Sequence, residues 1–289
     1  MAIWEILKAV LQGIVQGITE WLPISSTGHL ILVDEFIHMT VSSDPVRNAD
    51  FFNLFKVLIQ LGSIIAVIVL YFHKLNPLST KKTEIQQRDT WMLWLKVLIA
   101  SIPAGVIGFL FDDIVDDYLS EWYVIAATLV IYGVLFLVVE RRYRTPRVNS
   151  FEQLDYRTVL IIGVFQMLAL IPGTSRSGAT IVGAVMLGCS RYVAAEFSFF
   201  MAIPAMLGAS GVKLVKFILE HREEGLNFTG TEMAVLITGM LVAFLVSVVV
   251  IKFLMSYIKK HDFKVFGYYR LALALLVILY FGLIQPRLA

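Results

Sequence analysis

Long apolar stretches dominate the chain, and their lengths are those of membrane-spanning helices. A helix rises about 1.5 Å per residue, so roughly 20 apolar residues cross a hydrocarbon core of about 30 Å. Six stretches are long enough to do so, and they cover residues 55–72, 91–111, 122–140, 196–219, 233–251 and 266–284. The pattern therefore predicts an all-α, polytopic membrane protein of about six transmembrane helices, with residues 1–289 as a single domain.

Two further apolar regions are interrupted by polar residues at their centres. In residues 159–189, an apolar arm is followed by the polar run Gly173–Gly178 and then by a second apolar arm. Residues 3–37 follow the same plan around a polar centre at 23–29. Each arm is too short to cross a bilayer, and short apolar arms are typical of re-entrant segments. We therefore predict two re-entrant helical hairpins.

Composition agrees with a membrane location. Hydrophobic residues make up 58% of the chain, the mean hydropathy is +0.79, and 16% of residues are charged, against about 25% in soluble domains. The net charge of +2 does not indicate nucleic-acid binding, and we expect no nucleic-acid partner. Cys189 is the single cysteine of the sequence, so the chain cannot form an internal disulfide.

Basic residues are unevenly distributed among the predicted loops. Lysine and arginine are frequent in loops 73–90, 141–158 and 256–265, and at most one occurs in each of loops 34–54, 112–121 and 220–232. Because basic loops stay in the cytoplasm, the first three are predicted to be cytoplasmic and the others external. The first hairpin must then enter and leave from outside, and the second from the cytoplasm. One external loop carries four carboxylates, interpreted as solvated groups or as a divalent-cation patch: Asp112, Asp113, Asp116 and Asp117.

The two halves of the chain are also related in sequence. A shift of 150 residues without a gap aligns identical residues in the two interrupted regions: Gly13 with Gly163, Gln16 with Gln166, Ser25 with Ser175, Gly28 with Gly178 and Ile31 with Ile181. We therefore predict an inverted-topology repeat, with residues 1–140 as the first copy and 158–284 as the second. Inverted repeats with broken helices place their sites near the bilayer midplane, where irregular backbone lines a polar cavity.

The polar residues of the two hairpin tips are suited to binding an anion, and we predict that the tips meet. Free amides at a helix start attract phosphate, and arginine adds a bidentate fork for phosphate oxygens. The predicted phosphate-binding residues are Ser25, Thr27, Gly28, Thr174, Ser175, Arg176, Ser177, Gly178 and Thr180. A glycine- and serine-rich break can also serve packing alone, and a lone histidine such as His29 is more often a structural hydrogen-bond partner. The conjunction of these residues in two matched breaks favours a functional site.

A second intramembrane cation lies outside both tips. Arg270 is three or four residues inside the last predicted span. Long basic side chains near helix ends commonly extend to the polar interface, and we predict that arrangement for this arginine.

The motifs "QGITEWLPISSTGH" (16–29) and "PGTSRSGATI" (172–181), together with "EFSFFMAIPAMLGAS" (196–210), resemble the undecaprenyl-diphosphatase family, also called the bacitracin-resistance phosphatases. The resemblance extends over essentially the whole chain. It implies a multi-pass enzyme of the bacterial plasma membrane, with its site open to the outer face. The implied reaction removes the terminal phosphate of the C55 polyprenyl diphosphate and so recycles the lipid carrier for cell-wall glycan synthesis.

The resemblance also implies partners and a cofactor. We expect the polyprenyl diphosphate as substrate, bacitracin as a competitor for that substrate rather than a ligand of the protein, and allow for a homodimer. The family favours dependence on a divalent cation, Mg or Ca. Its acidic motif has Glu or Gln first and Glu last, so Gln16 and Glu20 fit it and are the candidate metal ligands. One carboxylate, not two, then remains at this helix.

Cleavage of a phosphoanhydride needs charge neutralisation, a nucleophile and a proton carrier. Arg176 and the tip amides are predicted to hold the phosphates, while Ser26 and His29, spaced i,i+3, offer a hydroxyl and a base. Glu20 is predicted to orient His29 or to bind a metal that bridges phosphate oxygens. The predicted catalytic residues are therefore Glu20, Ser26, His29 and Arg176, and serine, histidine and water all remain open as the nucleophile.

Another class of function is compatible with the same pattern. An inverted repeat is a common device of secondary transporters, so a transporter or polyprenyl-lipid flippase is the alternative. Transport alone does not require the combination of Glu20, Ser26, His29 and Arg176. An acid-phosphatase-like lipid phosphatase is disfavoured, because that family needs Ser-Arg, five intervening residues and then a histidine, and this chain has Val182 at the histidine position.

Overall fold

The computed structural model describes residues 2–119, 121–143, 145–220 and 228–284, without the side chains of 112–118 and 220. These ranges fold into helices α1 (Ala2–Thr19), α2 (Ser26–Phe36), α3 (Pro45–Leu70), α4 (Phe72–Leu75), α5 (Glu84–Leu119), α6 (Trp122–Arg142), α7 (Tyr156–Met167), α8 (Arg176–Met186), α9 (Arg191–Glu220), α10 (Gly230–Tyr257) and α11 (Lys264–Leu279). A 3₁₀ turn, Leu168–Leu170, follows α7, and a π-helical turn, Tyr280–Ile284, extends α11. The predicted all-α class is confirmed.

Six helices of the described chain are long and apolar enough to cross a membrane: Pro45–Leu70, Glu84–Phe111, Trp122–Arg142, Arg191–Leu219, Gly230–Tyr257 and Lys264–Ile284. Each overlaps one of the predicted spans, so the prediction of a polytopic membrane protein is confirmed. Large apolar side chains such as Phe109, Leu241 and Val249 are exposed on the outside of the bundle. Such a surface suits lipid tails, which are as apolar as these side chains.

The loop conformation predicted for 112–121 is wrong for most of its length, because α5 continues to Leu119, whereas the external location of this segment stays a prediction. The apolar pattern ends at Phe111 where the aspartates begin, but a charged residue does not interrupt the backbone hydrogen bonds of a helix. A helix can therefore leave the hydrocarbon and continue into water. The four aspartate side chains (Asp112, Asp113, Asp116 and Asp117) lie outside the described part of the chain, and the cation patch stays a prediction.

The first interrupted region is a hairpin of two helices. α1 ends at Thr19, residues 20–25 form the first tip, and α2 leads back. The Lys8 Nζ donates a hydrogen bond to the His38 carbonyl at 2.6 Å, and the Thr40 amide donates to Glu5 Oε2 at 2.8 Å. The start of α1 therefore lies beside the chain that follows α2, so the segment enters and leaves at one end of the bundle.

The second interrupted region has the same plan. α7 and its 3₁₀ turn lead to a second tip at residues 171–175, and α8 leads back. The Arg147 amide donates to the Gly188 carbonyl at 2.9 Å, and the Ser190 amide donates to the Val148 carbonyl at 2.8 Å. The chain before α7 thus meets the chain after α8. Re-entry of either hairpin from one side of a bilayer stays a prediction.

The packing of the helices follows a two-fold pattern. α1 packs on α10 as α7 packs on α5, and α3 packs on α10 as α9 packs on α5. The pairs α3–α9 and α6–α11 join corresponding helices of the two halves. The division into two repeats, 1–140 and 158–284, stays a prediction. The orientation of the two copies in a membrane stays a prediction.

Gly13 and Gly163, which correspond in the two halves, each lie where two helices pack closely. A Cβ atom at Gly163 of α7 would lie 2.4 Å from the carbonyl oxygen of Ala100 on α5. At Gly13 of α1, a Cβ atom would lie 2.7 Å from the carbonyl oxygen of Gly239 on α10. Both distances are too short for a real side chain. Small residues allow membrane helices to approach this closely, and here they draw each long hairpin arm against an equivalent span.

Candidate active site at the hairpin tips

Each tip ends in a serine that begins the next helix. Ser25 is the N-cap of α2 and Ser175 is the N-cap of α8. Their Oγ atoms accept hydrogen bonds from the amides of Gly28 at 3.3 Å and Gly178 at 3.1 Å. Both serines have a positive φ, 78° and 68°, which is uncommon for residues other than glycine. The matched caps give the two tips the same unusual backbone.

Glu20 lies where the two hairpins meet and bonds to residues of both. Its Oε2 accepts hydrogen bonds from Ser26 Oγ at 2.7 Å and from Gln16 Nε2 at 3.1 Å. Its Oε1 accepts one from Arg176 Nη2, on the second hairpin, at 3.3 Å. The carboxylate is buried, at 5% exposure. The structure therefore brings together three of the four predicted catalytic residues, Glu20, Ser26 and Arg176, in one hydrogen-bonded group.

Arg176 keeps unused hydrogen-bonding capacity inside this group. Its Nη1 donates to the Ser198 carbonyl at 2.8 Å, and its guanidinium carbon lies 5.9 Å from the ring centre of Trp21. Among the described residues, nothing accepts a hydrogen bond from the buried Nε of Arg176 or from the Trp21 Nε1. Buried donors are rarely left unpaired. An anionic ligand beside Arg176 would satisfy such donors.

Arg270 does not extend to the membrane interface, so that prediction is wrong. The side chain is fully buried, with 0% exposure. Its Nη1 donates to the Pro23 carbonyl of the first tip at 3.0 Å, and its Nη2 donates to the carbonyls of Gly173 and Thr174 in the second tip at 2.7 and 2.8 Å. Carbonyls freed by a break in a helix need donors, and one guanidinium supplies them to both tips.

His29 has partners other than Ser26. Its Nδ1 lies 2.6 Å from the carbonyl of Ser25, and its Nε2 lies 2.7 Å from Oη of Tyr269 on α11. The two rings are stacked, with centres 5.7 Å apart and planes 11° apart. The i,i+3 spacing places Ser26 and His29 on the same side of α2, but the Ser26 hydroxyl bonds to Glu20. The expected hydroxyl–histidine pair is not formed in this structure.

The remaining predicted phosphate ligands fall into two groups. Some have protein partners: Ser177 Oγ donates to the Glu20 carbonyl at 3.1 Å, and Thr180 Oγ1 lies 2.6 Å from Ser198 Oγ. Thr27, by contrast, is exposed at the start of α2. The hydrogen bonds of Ser177 and Thr180 fasten the second tip to its neighbours. A phosphate-binding role for these residues stays a prediction.

Gln16 and Glu20 fit the ligand set of a hard divalent cation in part. The Gln16 Oε1 is buried and has no hydrogen-bond partner within the described chain, while its amide nitrogen bonds to Glu20. Mg²⁺ is commonly held by one or two carboxylates together with substrate phosphates, rather than by a complete protein cage. No group of three or more His, Cys, Asp or Glu side chains suited to a metal occurs among the described residues. The oxygens present thus suit a cation that the substrate helps to bind.

The fold and this site define a polytopic membrane protein whose polar centre is built where two interrupted hairpins meet. The chain belongs to the family described as bacitracin resistance protein BacA, whose family model matches residues 9–276. It is 56% identical over 279 residues to an undecaprenyl-diphosphatase of Acetivibrio thermocellus, covering 96% of this chain and 98% of the relative. It is also 56% identical over 283 residues to an undecaprenyl-diphosphatase of Lactiplantibacillus plantarum, covering 97% and 99%. The family resemblance found in the sequence is confirmed.

Two residues of this site were not predicted. Arg270 was noticed as an intramembrane arginine, and such residues mark functional sites more often than not, which is the signal that could have found it. Tyr269 carried no signal, because a tyrosine at that position continues the apolar pattern of the last span.

Proposed function

We propose that the protein hydrolyses undecaprenyl diphosphate to undecaprenyl monophosphate and inorganic phosphate. The family and the names of relatives at 56% identity support this reaction. The structural observation that carries the proposal is the contact of one buried carboxylate, Glu20, with both a hydroxyl, Ser26, and a guanidinium, Arg176. A lipid substrate accounts for the placement of this polar group among membrane helices.

The first half of the reaction follows from the hydrogen bonds of Glu20. Arg176 binds the terminal phosphate and offsets its negative charge. Ser26 Oγ attacks the phosphorus, and its proton passes to Glu20 Oε2, which already accepts that hydrogen bond at 2.7 Å. The bond between the terminal phosphorus and the bridging oxygen breaks, and undecaprenyl monophosphate leaves with the electron pair. Ser26 is then a phosphoserine.

The second half returns the enzyme to its starting state. A water molecule attacks the phosphoserine, the proton on Glu20 returns to Ser26 Oγ, and inorganic phosphate leaves. His29 takes the proton of the attacking water, as neutral imidazole commonly does in general-base catalysis, and passes it to the departing phosphate, so that every protein group regains its starting protonation state. Gln16 and Glu20 would hold a divalent cation, which when bound would neutralise charge on the phosphate oxygens.

Release of phosphate by the purified protein in detergent tests the reaction. With undecaprenyl diphosphate as substrate, we expect inorganic phosphate and the monophosphate in equal amounts, and we expect EDTA to reduce the rate. Wild-type protein that bound or moved the lipid without releasing phosphate would contradict the proposal and favour the transporter alternative. An unchanged rate in EDTA would remove the cation from the proposal but not the reaction.

The nucleophile is tested by acid quench during turnover. We expect an acid-stable phosphoenzyme that is absent from Ser26→Ala. An acid-labile phosphate on His29 would contradict attack by serine, and absence of any phosphoenzyme would favour direct attack by water. His29→Ala is expected to slow the chemical step by about 10²-fold, the usual effect of losing an acid–base group, while substrate binding persists through Arg176.

The site is further proposed to open to the outer face of the plasma membrane. The distribution of basic loops supports this orientation. Thr27 is exposed, so Thr27→Cys would add one accessible thiol. The native Cys189 is buried and should react little with the reagent. We expect a membrane-impermeant thiol reagent to label Thr27→Cys in intact cells. Labelling that required access from the cytoplasmic side would contradict this orientation.

Bacitracin should lower the reaction rate by binding the lipid, so added substrate should restore the rate without any bacitracin bound to the protein. A homodimer should appear as twice the protein mass of one chain in light scattering of the detergent complex. A protein mass of one chain would contradict the homodimer alone.

A further inference from the structure

The hydrogen bonds of His29 determine which ring nitrogen carries a lone pair. Its Nδ1 lies 2.6 Å from the carbonyl oxygen of Ser25. A carbonyl only accepts, so Nδ1 must carry the proton. In the neutral ring, Nε2 is then the basic nitrogen, and the Tyr269 hydroxyl at 2.7 Å donates to it. The backbone of the first tip and the side chain of α11 thus fix the tautomer together.

The position of Tyr269 is itself fixed by its neighbour. Arg270, the next residue, is buried and donates to carbonyls of both tips. α11 is therefore held against the tips directly beside the tyrosine. The stacked arrangement of the His29 and Tyr269 rings, 11° from parallel, further limits rotation of the imidazole.

We propose that Tyr269 is a positioning residue for His29, acting through the Oη–Nε2 hydrogen bond and the stacked ring. The inference rests on the proposed phosphatase function and on the assignment of His29 as a proton acceptor within it. The hydroxyl keeps the Nε2 lone pair in one direction in the resting enzyme. A water molecule bound beside a phosphorylated Ser26 takes the place of the hydroxyl at Nε2, and the Ser25 carbonyl and the stacked ring keep the imidazole plane unchanged.

This role affects the chemical step more than the binding of substrate. In the proposed function the phosphates are held by Arg176 and the tip amides, whereas the hydrogen bond of the Tyr269 hydroxyl goes to His29. Loss of the hydroxyl leaves the Ser25 carbonyl and the stacked ring in place, but Nε2 of the resting enzyme then lacks its hydrogen-bond partner. In a fraction of the molecules the imidazole therefore turns away from the direction in which the water must bind. A single hydrogen bond of this kind contributes about 0.5–1.5 kcal/mol, which corresponds to a roughly 2- to 12-fold change in rate.

Tyr269→Phe and Tyr269→Leu, compared with Tyr268→Phe, test the proposal on the full-length protein in detergent. Tyr268 is the neighbouring tyrosine, is 62% exposed, and serves as the matched control. With undecaprenyl diphosphate as substrate, we expect Tyr269→Phe to lower kcat by about 3- to 10-fold with KM nearly unchanged, and Tyr269→Leu to lower it by at least 10-fold. Tyr268→Phe should match the wild type in both. Wild-type kcat for Tyr269→Phe, or an equal loss in the control, would overturn the inference.

A double-mutant cycle separates this role from a direct one. In single-turnover measurements, Tyr269→Phe should have no further effect once His29 is replaced by alanine, because the tyrosine then has nothing to position. Additive losses would show that Tyr269 acts independently of His29 and would overturn the proposal. The proposed function fails separately: wild-type protein without phosphate release contradicts the reaction, whereas a fully active His29→Ala contradicts the role of the histidine.

Discussion

Glu20 Oε1 accepts a hydrogen bond from Arg176 Nη2 at 3.3 Å, and the two residues stand 156 positions apart in the sequence. Each belongs to a different hairpin, and each would be an isolated charge among apolar helices without the other. Isolated buried charges are expensive, and removing one partner of a pair leaves the other uncompensated. The contact that builds the candidate site is therefore also a contact that holds the two halves together.

Glu20→Gln tests the central carboxylate. The amide keeps the size of the side chain and one acceptor oxygen but loses the charge that pairs with Arg176 and the basicity that receives the Ser26 proton. We expect kcat to fall by at least about 10²-fold, as for other lost acid–base groups. Phosphate release from undecaprenyl diphosphate measures it, with the proportion of folded protein checked by size-exclusion chromatography.

Glu121→Gln is the matched control for this change. Glu121 is exposed before α6, and its side chain makes no capping hydrogen bond. It should therefore keep wild-type activity. A Glu20→Gln enzyme with wild-type kcat would show that the carboxylate is needed for structure alone.

Arg176→Lys tests the guanidinium. Lysine keeps the positive charge, but its three donors share one nitrogen, so it loses the planar fork whose separate nitrogens bond to Ser198 and Glu20 and can also face a phosphate. We expect a loss of at least 10-fold in kcat/KM, about 1.4 kcal/mol of transition-state stabilisation, in the same phosphate assay. Arg88→Lys, at an exposed arginine, should be silent. Equal turnover by Arg176→Lys and wild type would reduce Arg176 to a source of charge.

Substitutions of Ser25 distinguish the stabilisation by its helix cap from the strain of its positive φ. Ser25→Ala loses the side-chain cap and keeps a β-carbon at φ 78°, whereas Ser25→Gly loses the cap but relieves the strain. Loss of a cap costs about 1 kcal/mol for alanine and a few tenths for glycine, and relief of the left-handed strain is worth about 1–2 kcal/mol. Unfolding in detergent should thus rank alanine below glycine by about 2–3 kcal/mol. Equal stability of the two variants would contradict this account.

Gly163→Ala tests the close approach of α7 to α5. The new methyl group would lie 2.4 Å from the Ala100 carbonyl oxygen, so the helices must separate. Overpacking of this kind costs about 1–3 kcal/mol, and we expect a lower unfolding temperature in detergent. Gly105→Ala is the control, because a Cβ atom there meets no atom of the described residues within 4 Å and alanine is the better helix former. A Gly163→Ala protein as stable as the control would show that the helices separate at no cost.

Much of the fold could be predicted from the sequence because lipid imposes a simple rule on length and polarity. The six spans follow from runs of about 20 apolar residues, and the hairpins from polar centres between short arms. The end of α5 could not be predicted in this way. Apolar pattern reports contact with lipid, whereas the helix continues for as long as its backbone hydrogen bonds are made.

The candidate site was predictable in its residues but not in its pairings. The motifs identified Glu20, Ser26 and Arg176, which the structure joins in one group. Spacing along α2 suggested Ser26 and His29 as partners, but spacing within one helix says nothing about side chains that arrive from another. Instead, Ser26 bonds to Glu20, which follows α1, and His29 bonds to Tyr269 of α11. Contacts of that kind depend on how the helices pack against one another, and a single sequence does not show which residues of two helices face each other.

The hydrogen bonds of Arg270 also have a consequence for synthesis, because the carbonyls of both tips are made before the arginine that donates to them. The arginine follows its acceptor in the first tip, Pro23, by 247 residues. At about 5–20 residues per second of synthesis, the first hairpin waits roughly 10–50 s for that donor. Until the final helix leaves the ribosome, the carbonyls of both tips must find water, lipid headgroups or the insertion machinery. A nascent chain that stops before α11 therefore lacks the one guanidinium that donates hydrogen bonds to carbonyls of both tips.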